Sequence, residues 1–358
     1  MSFLKGSVTG SGFRGKGGEL GEEGADLSAA VAQLAKHSFH RPVVLGKGED
    51  KYPQFGWCGG GHLNDDGFAE EKVVRGPFLS FAVLVTKRKI PADEVQARAA
   101  QELEAAALGR PIRPQDRRDA VRIARDAMAA EAEGTGRYLV RKMTPVVYDS
   151  ERRHLWLHTS SHAVADGVAA LWNVTFGGEL VPIDLAHYLG DGSAPSGAIP
   201  EWLSEAEAPN GWGNLFAREV VRTAADETIP LDRSFDWPSE DAVVKLIPRR
   251  TLTMRCPLGV KGLDRFDHEL PYKVPELADA LREGKMPTTL GLDLVSPGSD
   301  GPVPFALTPH RLAVSGARLP KGAAKGKEEA QLERLEAVRS FFDTIDGAAV
   351  SYARKHLD

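Results

Sequence analysis

The sequence predicts an α+β protein with mixed sheets, packed helices and two β-rich halves. Short strand-like runs gather before about residue 160 and return after residue 241. Segments with helical spacing of apolar residues are interleaved with them. Between the halves, roughly 190–240, the chain turns rich in Gly, Pro, Ser and acids, and reads as a connector with local structure.

The elements follow in order. "FLKGSVTGSGFR" opens as a strand, and "LSAAVAQLAKHSF" has helical spacing with Leu27, Val31 and Leu34 on one side. "FGWCGGGHLND" reads as a Gly-rich turn. "FLSFAVLVTKRK" is a buried strand ending in Lys87, Arg88 and Lys89, and "IPADEVQARAAQELEAAAL" is a helix with Pro91 near its first turn. After the break "GRPIRP", the helix "QDRRDAVRIARDAMAAEAE" turns Ala120, Val121, Ala124, Ala127 and Met128 to one side and Arg118, Arg122 and Arg125 to the other. That arginine stripe has two readings, a solvated face partly neutralised by Asp119 and Asp126, or a ridge facing phosphates. "GRYLVRKMTPVVYDSERRHLWLHTSS" reads as two strands joined at "DSER", followed by the helix "AVADGVAALWNVTFG" closed by Gly177 and Gly178.

Beyond the connector come the runs "AVVKLIP", "TLTMRCPL", "TTLGLDLV", "PVPFALTP" and "LAVSGARL", interrupted by the helix "VPELADALREGK". "KGAAKGKEE" links them to a long terminal helix with Leu332, Leu335, Val338, Phe342 and Ile345 on its apolar side, expected to pack on the body or on a second subunit. The expected organisation is an N-terminal α+β domain over 1–188, a connector over 189–240, a β-rich domain over 241–320 and a terminal amphipathic helix over 328–358. No internal repeat of fixed period is evident.

Composition narrows the function. With 358 residues, 42% of them hydrophobic and 27% charged, the chain has the balance of an ordinary globular protein. No window reaches the roughly 18 apolar residues of a membrane span, and the N-terminus lacks the apolar run of a signal peptide. With two cysteines, Cys58 and Cys256, and no C-x-x-C pair, a reduced, cytoplasmic setting is expected and a Cys-rich zinc site is excluded. The net charge of -5 alone weighs against a polyanion partner, but it is unevenly spread. Residues 110–142 carry nine Arg or Lys against five acids, and 245–273 carry seven against three, whereas 201–241 carry three against ten.

The sharpest enzyme signal is "HTSSHAVADG", with His162-x-x-x-Asp166-Gly167. These letters match the H-x-x-x-D-G signature of the chloramphenicol-acetyltransferase and condensation-domain superfamily, in which the His is the general base. The match makes an acyltransferase using His162 the alternative function. Its companions are missing. "NGWGN" at 210–214 begins only 44 residues after Asp166 and lacks the acid of the second family loop. The plainer reading makes His162 the first residue of a helix capped by Ser160 or Ser161, with Asp166 one turn on. His154, His158 and His162 would converge on a metal only along a continuous helix, which "HLWLHTSS" is not. The phosphate-loop, G-x-S-x-G and H-E-x-x-H patterns are absent, and no catalytic residue, metal or cofactor is expected.

Several segments together resemble the bacterial recombination-associated protein family RdgC, in a longer and divergent form. They are "FLKGSVTGSGFR", "FGWCGGGHL", "LSFAVLVTKRKIPADEVQARAAQELEAA", "RYLVRKMTPVVYDSERRHLWLHTSS", "IPEWLSE", "LADALREGKMPTTLGLDL" and "FALTPHRLAVSGARLP". They follow the family's order and cover most of the chain. The resemblance implies a ring-shaped homodimer that passes duplex DNA through a positive hole, binds it without sequence preference, and limits recombinase action by occupying DNA in the nucleoid. It also implies a basic-aromatic finger, matched here by Arg137, Tyr138, Arg141 and Lys142, to which the stripe Arg118, Arg122 and Arg125 is added. For Tyr138 the plainer reading is a strand-end aromatic covering the core, and for Arg137 and Lys142 solvated edge charges. A second basic contact in the C-terminal half falls on Arg249 and Arg250, or on Lys261 and Lys273.

Overall fold

The computed structural model describes residues 3–20, 26–44, 52–107, 111–183, 212–225, 236–238, 243–256, 263–295 and 301–357. The connector expected over 189–240 is thus described only at 212–225 and 236–238, and Lys261 lies outside the described residues. The N-terminal half runs β1 (Val8–Lys16), α1 (Leu27–Lys36), β2 (Val43–Val44), β3 (Gln54–Cys58), α2 (Glu70–Val73), β4 (Val74–Arg75), β5 (Phe78–Arg88), α3 (Ala92–Ala107), α4 (Pro114–Thr135), β6 (Leu139–Asp149), β7 (His154–Leu157), α5 (His162–Phe176) and β8 (Glu179–Pro182). The C-terminal half runs α6 (Trp212–Ala225), β9 (Asp236–Pro238), β10 (Val243–Arg255), β11 (Leu263–Asp267), α7 (Pro275–Arg282), β12 (Met286–Val295), β13 (Val303–Thr308), β14 (Ala313–Ala317) and α8 (Lys327–Leu357).

The architecture is mixed α+β around a large antiparallel sheet. Its described strands lie in the order β11-β10-β12-β13-β14-β1-β7-β6-β5-β3-β2, with β4, β8 and β9 pairing off this path. The first strand joins the halves. Val8 and Gly10 pair with β14, and Ser11–Arg14 pair with β7, so one strand carries the sheet from the C-terminal half into the N-terminal half. The opening strand expected from residue 3 begins instead at Val8, after a turn and bend over residues 3–6, and Phe3 is fully buried in a core drawn from both halves.

Local chemistry accounts for the main elements. Asp26 caps α1 by accepting from Ser28 N at 2.9 Å. Pro114 occupies the first turn of α4, the Asp116 carboxylate accepts from Arg113 N at 2.9 Å, and Gly136, left-handed at φ 74°, ends the helix. Nine successive residues of β5, Phe78–Thr86, are buried, as a central strand covered on both faces requires. "FGWC", read from sequence as a turn, is strand β3; Phe55, Trp57 and Cys58 are fully buried, and the turn follows them. Buried under that turn, Cys58 has its thiol pKa pushed up to about 11. The separate runs "AVVKLIP" and "TLTMRCPL" form one strand, β10, whose pairing with β12 slips at a bulge between Pro248 and Leu252.

Helices α1 and α5 cover one face of the N-terminal half, where Leu34, Trp172 and Phe176 meet Phe55, Trp57 and Phe81. The buried indole of Trp57 donates to Thr175 Oγ1 at 2.8 Å, which satisfies its polar edge. Helices α6, α7 and α8 cover one face of the C-terminal half. The terminal helix packs on the body of its own chain and touches both halves. Phe342 stacks on Trp156 with centroids 5.6 Å apart and planes 12° apart, and Phe341 meets Phe305 edge-on at 5.3 Å.

Candidate nucleic-acid interface

Strands β5 and β6 are paired along their whole length, from Phe78↔Asp149 to Arg88↔Leu139. Their neighbours are shorter. β3 reaches only to Thr86 and β7 only to Val146, so this end of the β5–β6 ribbon is bare on its β6 edge, keeps β3 on its β5 edge as far as Thr86, and runs on two-stranded at Lys87–Arg88 against Val140–Leu139. From that ribbon springs the helical hairpin α3–α4, which holds a small core of its own in Val95, Ala99, Ala120, Ala124 and Met128. The inner face read from the periodicity of α4 is therefore the face that packs on α3.

The ribbon gathers cations. Lys87, Lys89, Arg141 and Lys142 are exposed, and among the described residues none of them meets a carboxylate. Register places Lys142 opposite Val85 and Arg141 opposite Thr86. Alternation then sets Lys87 and Lys142 on one face of the ribbon and Arg141 on the other. Arg141 Nη1 donates weakly to Asn64 Oδ1 at 3.5 Å. Arg88, between the lysines, lies 5.7 Å from the Tyr52 ring centroid and 3.7 Å from Glu133.

Arg137 and Tyr138 are engaged within the protein. Arg137 reaches Glu94 at 3.1 Å and Glu131 at 3.0 Å, and its guanidinium lies 4.7 Å from the Tyr138 ring centroid. Tyr138 donates its hydroxyl to Glu94 Oε2 at 2.6 Å and packs on the hairpin core, with left-handed backbone at φ 65°. Hydrogen bonding to Glu131 raises the Arg137 pKa, and hydrogen bonding to Glu94 raises that of the Tyr138 phenol. This cluster closes the α3–α4 hairpin where it meets the ribbon.

On α4, Arg118, Arg122 and Arg125 are exposed on the stripe opposite the core. Arg122 contacts Asp119 at 3.5 Å and Asp126 at 3.9 Å, long surface contacts of little energetic weight. Arg118 and Arg125 meet no carboxylate among the described residues. The helix itself carries four arginines and five acids, so its charge is segregated along the surface rather than in net excess.

In the C-terminal half the bulge of β10 presents Arg249 and Arg250. Arg250 has left-handed backbone at φ 64°, held by Arg250 N donating to Glu269 O at 3.2 Å and His268 N donating to Arg250 O at 3.0 Å. Its exposed side chain meets no carboxylate among the described residues. Arg249 instead sits 3.4 Å from Asp293 and 3.7 Å from Glu269. Together with Arg318 the two line a hollow of about 310 Å³ on the sheet face away from the helices. Lys273, the other described candidate, is exposed at the end of a short 3-10 turn, Pro271–Lys273.

The H-x-x-x-D-G residues occupy a strand-to-helix junction. His162 is the first residue of α5, exposed, with its ring stacked on His310 at 6.0 Å and 14°. Asp166 is exposed one turn on, and no hydrogen bond joins the two among the described residues. Ser161 is the N-cap by position but makes no side-chain capping bond. Gly167 has a packing reason: a Cβ there would lie 2.2 Å from the Phe55 ring. His154 opens β7 and His158 follows its last residue, Leu157, so neither is on α5 with His162. Among the described residues, no three His, Cys, Asp or Glu converge as a metal-ion site, and no helix is long and apolar enough to cross a membrane.

Sequence reasoning noted Lys87, Arg88 and Lys89 as a strand-end run without placing them at a site; the run itself was the available signal. Comparison of the chain with protein-family models gave no match, and comparison with curated proteins gave none.

Proposed function

We propose that this chain is a DNA-binding protein that acts as a homodimer, contacts the phosphate backbone without reading sequence, and modulates recombination or replication by occupying duplex DNA. The observation that carries the reading is the ribbon, where Lys87, Lys89, Arg141 and Lys142 stand exposed on paired strand ends with no carboxylate among the described residues to neutralise them. Cations on both faces of this end of the β5–β6 pair can follow phosphates whatever the bases between them. Arg118 and Arg125 extend the positive surface along α4, and Arg250 supplies a cation in the other half. The ordered resemblance to the RdgC family supports the same reading and supplies its dimeric, encircling form. No chemical step belongs to it.

A mobility-shift titration of duplex DNA at several salt concentrations tests the proposal, alongside sedimentation to give the oligomeric state. Retention that weakens steeply with salt and is equal for unrelated sequences is expected, because each neutralised phosphate contributes about 0.9 to the slope of log affinity against log salt. A folded protein that fails to retain DNA at low salt overturns the reading.

A further inference from the structure

A cavity of about 520 Å³ opens where the first described residues meet the segment after β14 and the start of α8. Leu4, Leu319, Pro320 and Ala330 give it an apolar wall, and Lys5, Arg318, Lys321 and Arg334 also line it, with no Asp or Glu among the lining residues.

Arg334 is the unusual member. Its Nε donates to Phe3 O at 3.2 Å, Nη1 to Leu319 O at 3.2 Å and Pro320 O at 3.4 Å, and Nη2 to Gly6 O at 2.7 Å. The guanidinium thereby ties the N-terminal segment and the 319–320 segment to α8. Every one of these partners is a neutral carbonyl. Carbonyls satisfy the N–H groups, but they do not cancel a unit charge, and a desolvated charge is normally paired with an opposite one. Burial accordingly pulls the Arg334 pKa down. The adjacent acid is used elsewhere: Glu333 accepts from Ala323 N at 3.0 Å and Ala324 N at 2.9 Å, which fixes the turn before α8. Lys5, Arg318 and Lys321 are exposed and meet no carboxylate among the described residues. By donor count, Arg334 keeps one Nη2 N–H beyond its four carbonyl bonds.

We infer that this cavity binds a small organic anion, a carboxylate or phosphate carried on an apolar body. The apolar wall takes the body, Arg318 and Lys321 take the oxyanion at the mouth, and Arg334 supplies fixed positive charge behind it. The inference stands apart from the DNA reading, because a bare sugar-phosphate strand has nothing to place against Leu4, Leu319 and Pro320.

Isothermal titration of the full chain with 1-naphthyl phosphate, 1-naphthoate, neutral 1-naphthol and inorganic phosphate tests it. Both naphthyl anions should bind one to one, with naphthol and inorganic phosphate at least about ten-fold weaker. Arg318→Ser with Lys321→Ser, two exposed changes, should weaken the anions by about ten-fold or more while leaving the melting temperature and naphthol binding unchanged. The inference is overturned if neither anion saturates, if naphthol binds as well as they do, or if the double variant binds them normally. A short duplex DNA added as competitor should not displace the naphthyl anions; displacement would make the cavity a seat for backbone phosphate and overturn the inference.

Discussion

Arg339 of α8 holds Asp149, the fully buried last residue of β6. Its Nη2 donates to Asp149 Oδ1 at 2.8 Å, and its Nε approaches Oδ2 at 2.6 Å off the hydrogen-bond axis. The same guanidinium reaches Glu151 at 2.8 Å and lies 4.4 Å from the Phe78 ring centroid. One side chain thus fastens the terminal helix to the "DSER" turn of the N-terminal half. Removing it alone strands a buried carboxylate, so Arg339→Leu is expected to cost about 3–5 kcal/mol in chemical denaturation. Asp149→Asn on that background should recover most of the loss, since neither charge then remains. An Arg339→Leu chain as stable as the parent would refute the clamp.

Asp343, one turn further along α8, faces Arg152 and shares this polar pocket with Arg339 and Asp149. Burial outweighs the two arginines and raises its pKa to about 6, and burial raises that of Asp149 as well. A carboxyl whose folded pKa lies above its unfolded value favours folding in its protonated form. Its contribution is complete below the unfolded pKa of about 3.9 and is lost as pH rises through about 6. Asp343→Asn should therefore stabilise the chain, relative to the parent, by on the order of 2 kcal/mol more at pH 7 than at pH 4. Denaturation midpoints at the two pH values measure this, and a difference independent of pH would contradict it.

Gly167 is fixed by the Phe55 ring. Alanine in a helix interior ordinarily gains up to about 1 kcal/mol over glycine. Here Gly167→Ala should instead destabilise by about 1–3 kcal/mol, because the new Cβ would fall on that ring. Phe55→Leu should relieve part of the penalty. Thermal melting of Gly167→Ala, Phe55→Leu and the double variant checks this reading of the last letter of H-x-x-x-D-G.

The ribbon cations and the hairpin cluster should separate in DNA titrations. Lys87→Ala with Lys142→Ala is expected to lower the salt slope by about 2 and to weaken binding to all sequences alike. Arg137→Ala should change the slope less, because that guanidinium is already held by Glu94 and Glu131. Its main effect should be a less stable hairpin, read as faster amide exchange in α3 and α4. A larger slope change from Arg137 than from the lysine pair would reverse the assignment.

Much of the fold was legible where one element decides its own pattern. The two faces of α4, the apolar stripe of the terminal helix and the buried run of β5 follow from periodicity alone. β3 was missed because its Gly56 and the glycines after Cys58 signal a turn; Gly56 belongs to the strand because Phe39 packs so close that a Cβ would lie 2.4 Å from its Cα. The split reading of β10 failed at its bulge, where the left-handed Arg250 interrupts the strand pattern without ending the strand.

The sequence by itself determined the α+β class, the identity of most helices and strands, and the clustering of cations in 110–142 and 245–273, because these depend on residues near one another in the chain. Which cations stay unpaired was decided only by the tertiary structure. Arg137 is neutralised by Glu94, 43 residues earlier, whereas Lys142 lies across from Val85 and meets no acid among the described residues. Charge compensation acts over a few ångströms in space and is indifferent to separation along the chain. A count of charges along the sequence therefore locates a basic region but leaves open which of its members meet the solvent unpaired.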